Sequence, residues 1–263
     1  VLLRGWANEW PALANWAEPA YLRNLLGDER KILVLRSPVG SRFLKRDCRQ
    51  DMQPFSQVVD ELLGPVASAA APRVQGDIVT HKTVQGGISA ERLYARAPLA
   101  EGLRAETPLD GLQTLVGGVP SNHEFRDDNC GVWLGSAGCI TPLHYDLCHG
   151  FLVGVLGVKR ITYYSPDDFG GLYAREQQPE LSTVDLEAWR EGEATEGGRA
   201  ERAVHPRFAE ATAWHCELHP GDILYTPPYH WHHVETAAEQ AALSVLVPFD
   251  PAPDEPVHAC HFR

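Results

Sequence analysis

A histidine and an aspartate two residues apart, His144 and Asp146, followed far downstream by His232, form a ligand set able to hold a divalent metal. Two imidazoles and one carboxylate occupy one face of an ion and leave the opposite face open for substrate and oxygen. On an extended strand, side chains two residues apart project to the same side, so His144 and Asp146 converge without a helix. His232 must arrive from a second strand. Its approach, Pro220-Gly221-Asp222-Ile223-Leu224-Tyr225-Thr226-Pro227, reads as a turn leading into an apolar strand. A His-x-Asp alone is common and says little; joined to this second segment it points to a metal-dependent reaction centre.

The elements that must position these residues fall into two parts. Before residue 129 the pattern is mixed. Residues 18–27 read as a short helix with Pro19 near its start and Gly27 just past its end. Residues 31–35 read as a strand and 91–96 as another. Residues 53–63 carry Phe55, Val58, Val59, Leu62 and Leu63 at helical spacing, stopped by Gly64-Pro65. The Ala-rich residues 66–72 read as a loop or a frayed helix extension, and 97–128 as turns and short apolar pieces. From 129 onward strands succeed one another, at 131–135, around the ligands at 143–147, and at 150–156, 159–164, 213–218, 222–226 and 241–249. Between them residues 174–206 form a long, polar, acidic insertion, a kind of segment that is usually a functional loop or a disordered linker. The expectation is one domain over 1–263, a mixed part over 1–128 followed by a β-barrel or jelly roll over 129–250 with helices packed around it.

Composition narrows the function classes. With 44% hydrophobic and 22% charged residues the chain is ordinary for a globular protein, and its 23 glycines and 20 prolines favour turns over long helices. A formal net charge of −12 argues against a general nucleic-acid or anionic-membrane surface and is compatible with a basic peptide. No apolar run approaches the roughly 18 residues of a membrane-spanning helix. Six cysteines without a Cys-x-x-Cys read as reduced core thiols of an intracellular protein, cytoplasmic or, in a eukaryote, nuclear. His258-Ala259-Cys260-His261 has zinc-ligand chemistry but, near a chain end, reads as an incidental cluster.

The segment Gly138-Cys139-Ile140-Thr141-Pro142-Leu143-His144-Tyr145-Asp146 resembles the metal motif of the JmjC family, cupin-like oxygenases dependent on iron and 2-oxoglutarate. Gly157-Val158-Lys159-Arg160-Ile161, Tyr163-Tyr164-Ser165-Pro166 and the stretch 219–235 resemble the segments that follow in that family. The likeness is firm over roughly 130–249 and suggestive before it. It is closest to the small hydroxylase branch, which includes the asparaginyl hydroxylase of hypoxia-inducible factor and a tRNA wybutosine hydroxylase. The resemblance implies a double-stranded β-helix, the jelly-roll or cupin core, mainly β with flanking α-helices. It implies that His144, Asp146 and His232 ligate Fe(II), His232 being the distal ligand because it directly follows Trp231. His230 and His233 then stand beside the ligand set or at the surface, since neighbouring strand residues face opposite ways.

By the same resemblance Lys159 binds the far carboxylate of 2-oxoglutarate, Thr141 donates a hydroxyl to it, and Tyr94 supplies a third contact. A fixed cation suits a dianion in a closed barrel, where an unpaired lysine would otherwise be costly. Trp133, His149 and Trp231 are candidate walls of the substrate pocket, with Phe151, Val153 and Leu224 keeping it dry. Two departures from relatives stand out. Leu246-Val247-Pro248 lies where some carry a polar residue, and His149-Gly150 replaces the Gln-Asn pair of the asparaginyl hydroxylase.

The implied activity is a dioxygenase that uses O2 to hydroxylate an unactivated C–H of a protein side chain or small molecule, releasing succinate and CO2. Two other readings use the same residues: a JmjC-type lysine demethylase, and a non-oxygenase metal-binding cupin such as an isomerase or binding protein. Lys159 and Thr141 speak against the last, which has no use for a 2-oxoglutarate anchor.

Overall fold

The computed structural model describes residues 1–27, 29–38, 48–64, 91–99, 101–115 and 129–251. Among these residues the strands are β1 (Leu2–Leu3), β2 (Lys31–Pro38), β3 (Arg49–Pro54), β4 (Glu91–Pro98), β5 (Gly131–Gly135), β6 (Ile140–His144), β7 (His149–Leu156), β8 (Lys159–Tyr164), β9 (Trp214–Leu218), β10 (Ile223–Thr226), β11 (Trp231–Thr236) and β12 (Ala242–Phe249). They form an eight-stranded sheet ordered β1-β10-β7-β12-β5-β4-β2-β3 and a four-stranded sheet ordered β6-β11-β8-β9. Every pairing is antiparallel. The chain is mainly β, a double-sheet jelly roll, as expected.

Period-two alternation decides what each face of the large sheet does. Phe151, Val153 and Val155 of β7, Val132 and Leu134 of β5, and Leu243, Val245 and Val247 of β12 all point away from the small sheet into the main core. There they meet α1 (Pro11–Asn15), α2 (Pro19–Asn24), α3 (Phe55–Leu63), α4 (Glu101–Ala105) and α5 (Asp110–Leu115) through Ala12, Leu22, Phe55, Leu103 and Leu112. Fully burying one such aliphatic side chain contributes about 1.5–3 kcal/mol. The intervening residues, Gly150 and Leu152 of β7, Trp133 of β5, Leu246 of β12 and Leu224 of β10, face the small sheet. Phe151 and Val153 therefore belong to the helix-side core, and the dry wall they were expected to supply comes from Leu152 and Leu246 beside Leu224.

The structure differs from the sequence reading in several segments. Residues 97–128, read as turns and short apolar pieces, include α4 and α5. Helix α3 begins at Phe55, because Pro54 has the extended ψ of 135° and Gln53-Pro54 pair with β2. The insertion over 174–206 is ordered structure. It contains α6 (Leu186–Glu191) and α7 (Glu196–Val204), whose first turns are capped by Asp185 on the Ala188 amide at 3.1 Å and Thr195 on the Gly198 amide at 2.9 Å. Leu186 and Val184 are buried with Leu143, Tyr164, Phe208 and Trp231, so the insertion forms a second core on the outer face of the small sheet. Residues 66–72 and the His258-Ala259-Cys260-His261 cluster lie outside the described residues. The five described cysteines, Cys48, Cys130, Cys139, Cys148 and Cys216, form no disulfide, and no described helix is long and apolar enough to cross a membrane.

Candidate metal centre and cosubstrate cavity

A cavity of about 220 Å³ lies between the two sheets, lined from the small sheet by Thr141, His144, Lys159, Ile161, Tyr163, His232 and Val234. Register explains how they share a face. His144 pairs with His232, and His232 pairs with Tyr163, so the two imidazoles sit side by side, ring centroids 4.2 Å apart. Lys159 and Tyr163 are four residues apart on β8 and therefore face the same way. Thr141 and His144 are three apart and should not. A shift in the β6–β11 register sets Thr141 opposite Val234 while His144 stays opposite His232, so β6 carries an extra residue and both of its side chains reach the cavity. Pro142 lies within that bulge, one of the few sheet positions that tolerate proline.

Each imidazole is oriented by a carbonyl two residues back. The His144 Nδ1–H donates to the Pro142 carbonyl at 2.8 Å, and the His232 Nδ1–H to the His230 carbonyl at 2.9 Å. Both Nε2 lone pairs are thereby freed as metal ligands. Asp146 sits past the end of β6, outside any regular element. It is held by the buried Tyr145, packed edge-on to Trp231 at 4.8 Å, and by the Tyr229 amide, which donates to the Asp146 carbonyl at 2.8 Å. Tyr229 makes this contact with a left-handed φ of 63°, uncommon outside glycine. One carboxylate oxygen of Asp146 comes within 3.7 Å of His232 Nε2, and the ligand atoms of His144, Asp146 and His232 all lie within 4.8 Å of one another. Burial and the neighbouring His144 push the His232 imidazole down to about 4, so it is neutral, as a ligand must be, at ordinary pH.

At the other end of the cavity Lys159 is 3% exposed, and burial pulls its ammonium down to about 8; among the described residues no carboxylate pairs with it. Its Nζ lies over the Tyr94 ring, 5.7 Å from the centroid, and the Tyr94 hydroxyl is hydrogen-bonded to the Thr141 side chain. Burial raises the Tyr94 phenol, so it stays protonated. Trp133 lines the cavity too and stacks on Tyr94 at 5.1 Å.

The other two wall candidates lie elsewhere. His149 shares the parity of Phe151 on β7; it stacks on Phe249 at 4.7 Å and meets the Tyr225 hydroxyl through Nδ1 at 2.8 Å, on the core side of the large sheet. Trp231 is fully buried on the outer face of β11, the face opposite His232. Both corrections follow from alternation, because an odd spacing from a cavity-facing residue turns a side chain away. Sequence reasoning passed over Tyr163 and Thr226, which line the cavity and hydrogen-bond through their hydroxyls between the two sheets. The even spacing of Tyr163 from Lys159 is the signal that finds it. Gly150 and Leu246 face the cavity as well, and a Cβ on Gly150 would meet only Leu246, at 3.5 Å. The two positions where this chain departs from relatives therefore present no polar group.

A double-sheet jelly roll with a His-Asp-His cluster between its sheets is the arrangement of a cupin. The chain belongs to the Cupin-like domain family, which it matches over residues 1–255. It is 34% identical over 238 residues to lysine-specific demethylase 8 of Danio rerio, covering 90% of this chain and 50% of that protein. It is 24% identical over 245 residues to Jumonji C domain-containing protein 5 of Drosophila melanogaster, covering 93% and 53%. Over 113 residues it is 32% identical to tRNA wybutosine-synthesizing protein 5 of Gallus gallus, covering 43% and 31%. The crystal structure of Escherichia coli ribosomal oxygenase YcfD aligns with 98% of this chain and 57% of its own, at a TM-score of 0.46 and 15% identity. The chain spans about half the length of the curated relatives matched along most of it.

Proposed function

We propose that the protein is an Fe(II)- and 2-oxoglutarate-dependent dioxygenase that hydroxylates a C–H bond of a protein side chain or small molecule. The observation that carries this reading is the pairing, in one cavity, of a His-Asp-His ligand set with a buried ammonium that no carboxylate among the described residues neutralises. A metal-binding cupin without a cosubstrate has no need of that cation, and burying it unpaired is costly. A dianion that reaches the metal at one end and Lys159 at the other removes the cost.

The donor set fits the ion. His144 and His232 offer neutral Nε2 atoms, Asp146 offers a carboxylate whose side chain is 51% exposed at the cavity rim, and two imidazoles with one carboxylate suit non-haem iron. Iron bound there supplies the O2 chemistry by which 2-oxoglutarate is converted to succinate and CO2 while the substrate C–H becomes C–OH. The chain's own residues do the rest. Lys159 holds the far carboxylate by charge, and the hydroxyls of Thr141 and Tyr94 stand beside it to donate hydrogen bonds. Leu152, Ile161, Leu224, Val234 and Leu246 exclude water from the space between. Trp133, clamped between Tyr94 and the Arg96 guanidinium 5.7 Å from its ring, forms a stiff wall toward the rim.

The test is succinate release from 2-oxoglutarate by the Fe(II)-loaded protein, first alone and then with candidate peptides and metabolites. Turnover that needs both Fe(II) and 2-oxoglutarate supports the reading; metal binding with no 2-oxoglutarate consumption under any substrate sinks it. The 34% identity to a protein named lysine-specific demethylase 8 favours one other outcome, N-methyl hydroxylation of lysine, which releases formaldehyde from methylated peptides where plain hydroxylation does not.

A further inference from the structure

The strand that carries His232 is gripped from behind. Its neighbours on β11, Trp231 and His233, both point to the outer face of the small sheet, and both are buried by the insertion. His233 is 1% exposed, with Nε2 at 2.6 Å from Glu187 Oε1 of α6 and 3.3 Å from Glu235 Oε1 of its own strand. Glu235 in turn holds the guanidinium of Arg190, also on α6, and a second nitrogen of Arg190 donates to the Thr162 hydroxyl of β8 at 2.6 Å. One short helix thus sends Glu187 and Arg190 onto two adjacent strands, directly behind the cavity.

The location gives the grip its meaning. The β6–β11 register shifts between His232 and Val234, at His233 itself. The extra residue lies on β6 and interrupts that ladder locally, so β11 is held less well on its β6 edge there than in a regular pairing. On its other edge β11 pairs with β8 in unbroken register, His233 opposite Thr162, and the His233 side chain adds a hold from the outer face through its contact with Glu187.

We propose that Glu187 is a positioning residue for the metal centre: by holding His233 opposite the β6 bulge, it helps to set the direction in which His232 presents its imidazole to the cavity. The inference rests on the reading of His144, Asp146 and His232 as a metal centre. The same side chains, Glu187, His233 and Glu235, could in principle hold an ion of their own. Arg190 on Glu235 argues against that, because its guanidinium already occupies the carboxylate and would repel a divalent cation.

The experiment uses the whole chain with Co(II) as a spectroscopic probe, comparing wild type with Glu187→Ala, Glu187→Gln and Glu187→Asp. Wild type is expected to bind one Co(II) per chain. Glu187→Ala should weaken that binding by about 10-fold or more, the range seen when groups that orient metal ligands are removed. It should also shift the visible bands, with Glu187→Asp partly restoring both. Should Glu187→Ala not fold, the isosteric Glu187→Gln carries the same readings. A fall in Tm of the metal-free protein with unchanged Co(II) affinity and spectrum would mean a merely structural contact and overturn the proposal. Two Co(II) per chain, one lost in Glu187→Gln, would overturn it in favour of a second ion site. Failure of wild type to bind Co(II) would sink the underlying metal reading, before any variant is compared.

Discussion

The four-stranded sheet meets the cavity with Thr141, His144, Lys159, Tyr163 and His232, whereas the eight-stranded sheet meets it with Gly150, Leu152, Leu224 and Leu246 beside Tyr94, Trp133 and Thr226. The small sheet therefore carries the two candidate histidine ligands and the charge, and the large sheet supplies mostly a dry wall. Their outer faces are equally unlike. The large sheet is backed by an ordinary apolar core shared with five helices. Behind the small sheet, apolar packing of the insertion is joined by the ionic network of Glu187, Arg190, His233 and Glu235. Reactive side chains held between two sheets need directional contacts to fix their rotamers, and on the small sheet His144 and His232 have them.

That contrast can be broken or sharpened by substitution. The largest effect is expected from Asp146→Ala, which leaves two imidazoles and should reduce 2-oxoglutarate turnover to background while the metal-free Tm stays close to wild type. Lys159→Met comes next. Removing a charge-assisted contact of about 1.5–3 kcal/mol should weaken 2-oxoglutarate binding by roughly 10- to 150-fold. The metal-free fold should be no less stable, since an unpaired buried ammonium is replaced by an apolar chain. Leu134→Ala, in the large-sheet core, should do the reverse. It should cost about 2–5 kcal/mol of stability, read by denaturant unfolding, and leave Co(II) affinity unchanged. If Leu134→Ala altered metal affinity as strongly as Asp146→Ala, the separation between the sheets would be wrong.

A subtler effect comes from pH. Burial lowers the Lys159 ammonium to about 8 in the free protein, and only the protonated form attracts the dianion. The 2-oxoglutarate dissociation constant should thus be flat below pH 8 and rise above it by up to about tenfold per pH unit, as linkage to one proton requires. In Lys159→Met that rise should disappear; calorimetric titration across pH 7–10 would show both. The smallest change is expected from Tyr94→Phe, in which Lys159 and Thr141 still hold the carboxylate, so the 2-oxoglutarate KM should rise less than in Lys159→Met.

The strands of the C-terminal half were legible because their alternation is regular and glycine marks their turns. The ligand set was legible because few residue types hold iron. What the sequence hid has identifiable causes. His149 and Trp231 carry the chemistry of pocket walls, but their faces are set by parity relative to Gly150 and His232, and parity decides only once the strand register is known. Thr141 came from the family resemblance alone; its three-residue spacing from His144 argues for opposite faces, and the bulge that reverses this leaves no mark except Pro142. The insertion read as a functional loop or a disordered linker because it is long, polar and acidic. Its caps, Asp185 and Thr195, were visible in principle, but the partners of Glu187 and Arg190 lie on strands more than 25 residues away.

The most direct test of the central claim, that a metal centre and a 2-oxoglutarate anchor share one cavity, is an anaerobic titration. Fe(II) is added first to the purified protein, then 2-oxoglutarate, while the visible spectrum is followed for the weak charge-transfer band of a metal-chelated 2-oxo acid. The expected result is a band that appears only after both additions, is absent from Asp146→Ala, and needs far more 2-oxoglutarate in Lys159→Met. Iron demonstrably bound to the wild-type protein, with no band at saturating 2-oxoglutarate, would contradict the account and leave a metal-binding cupin of different chemistry.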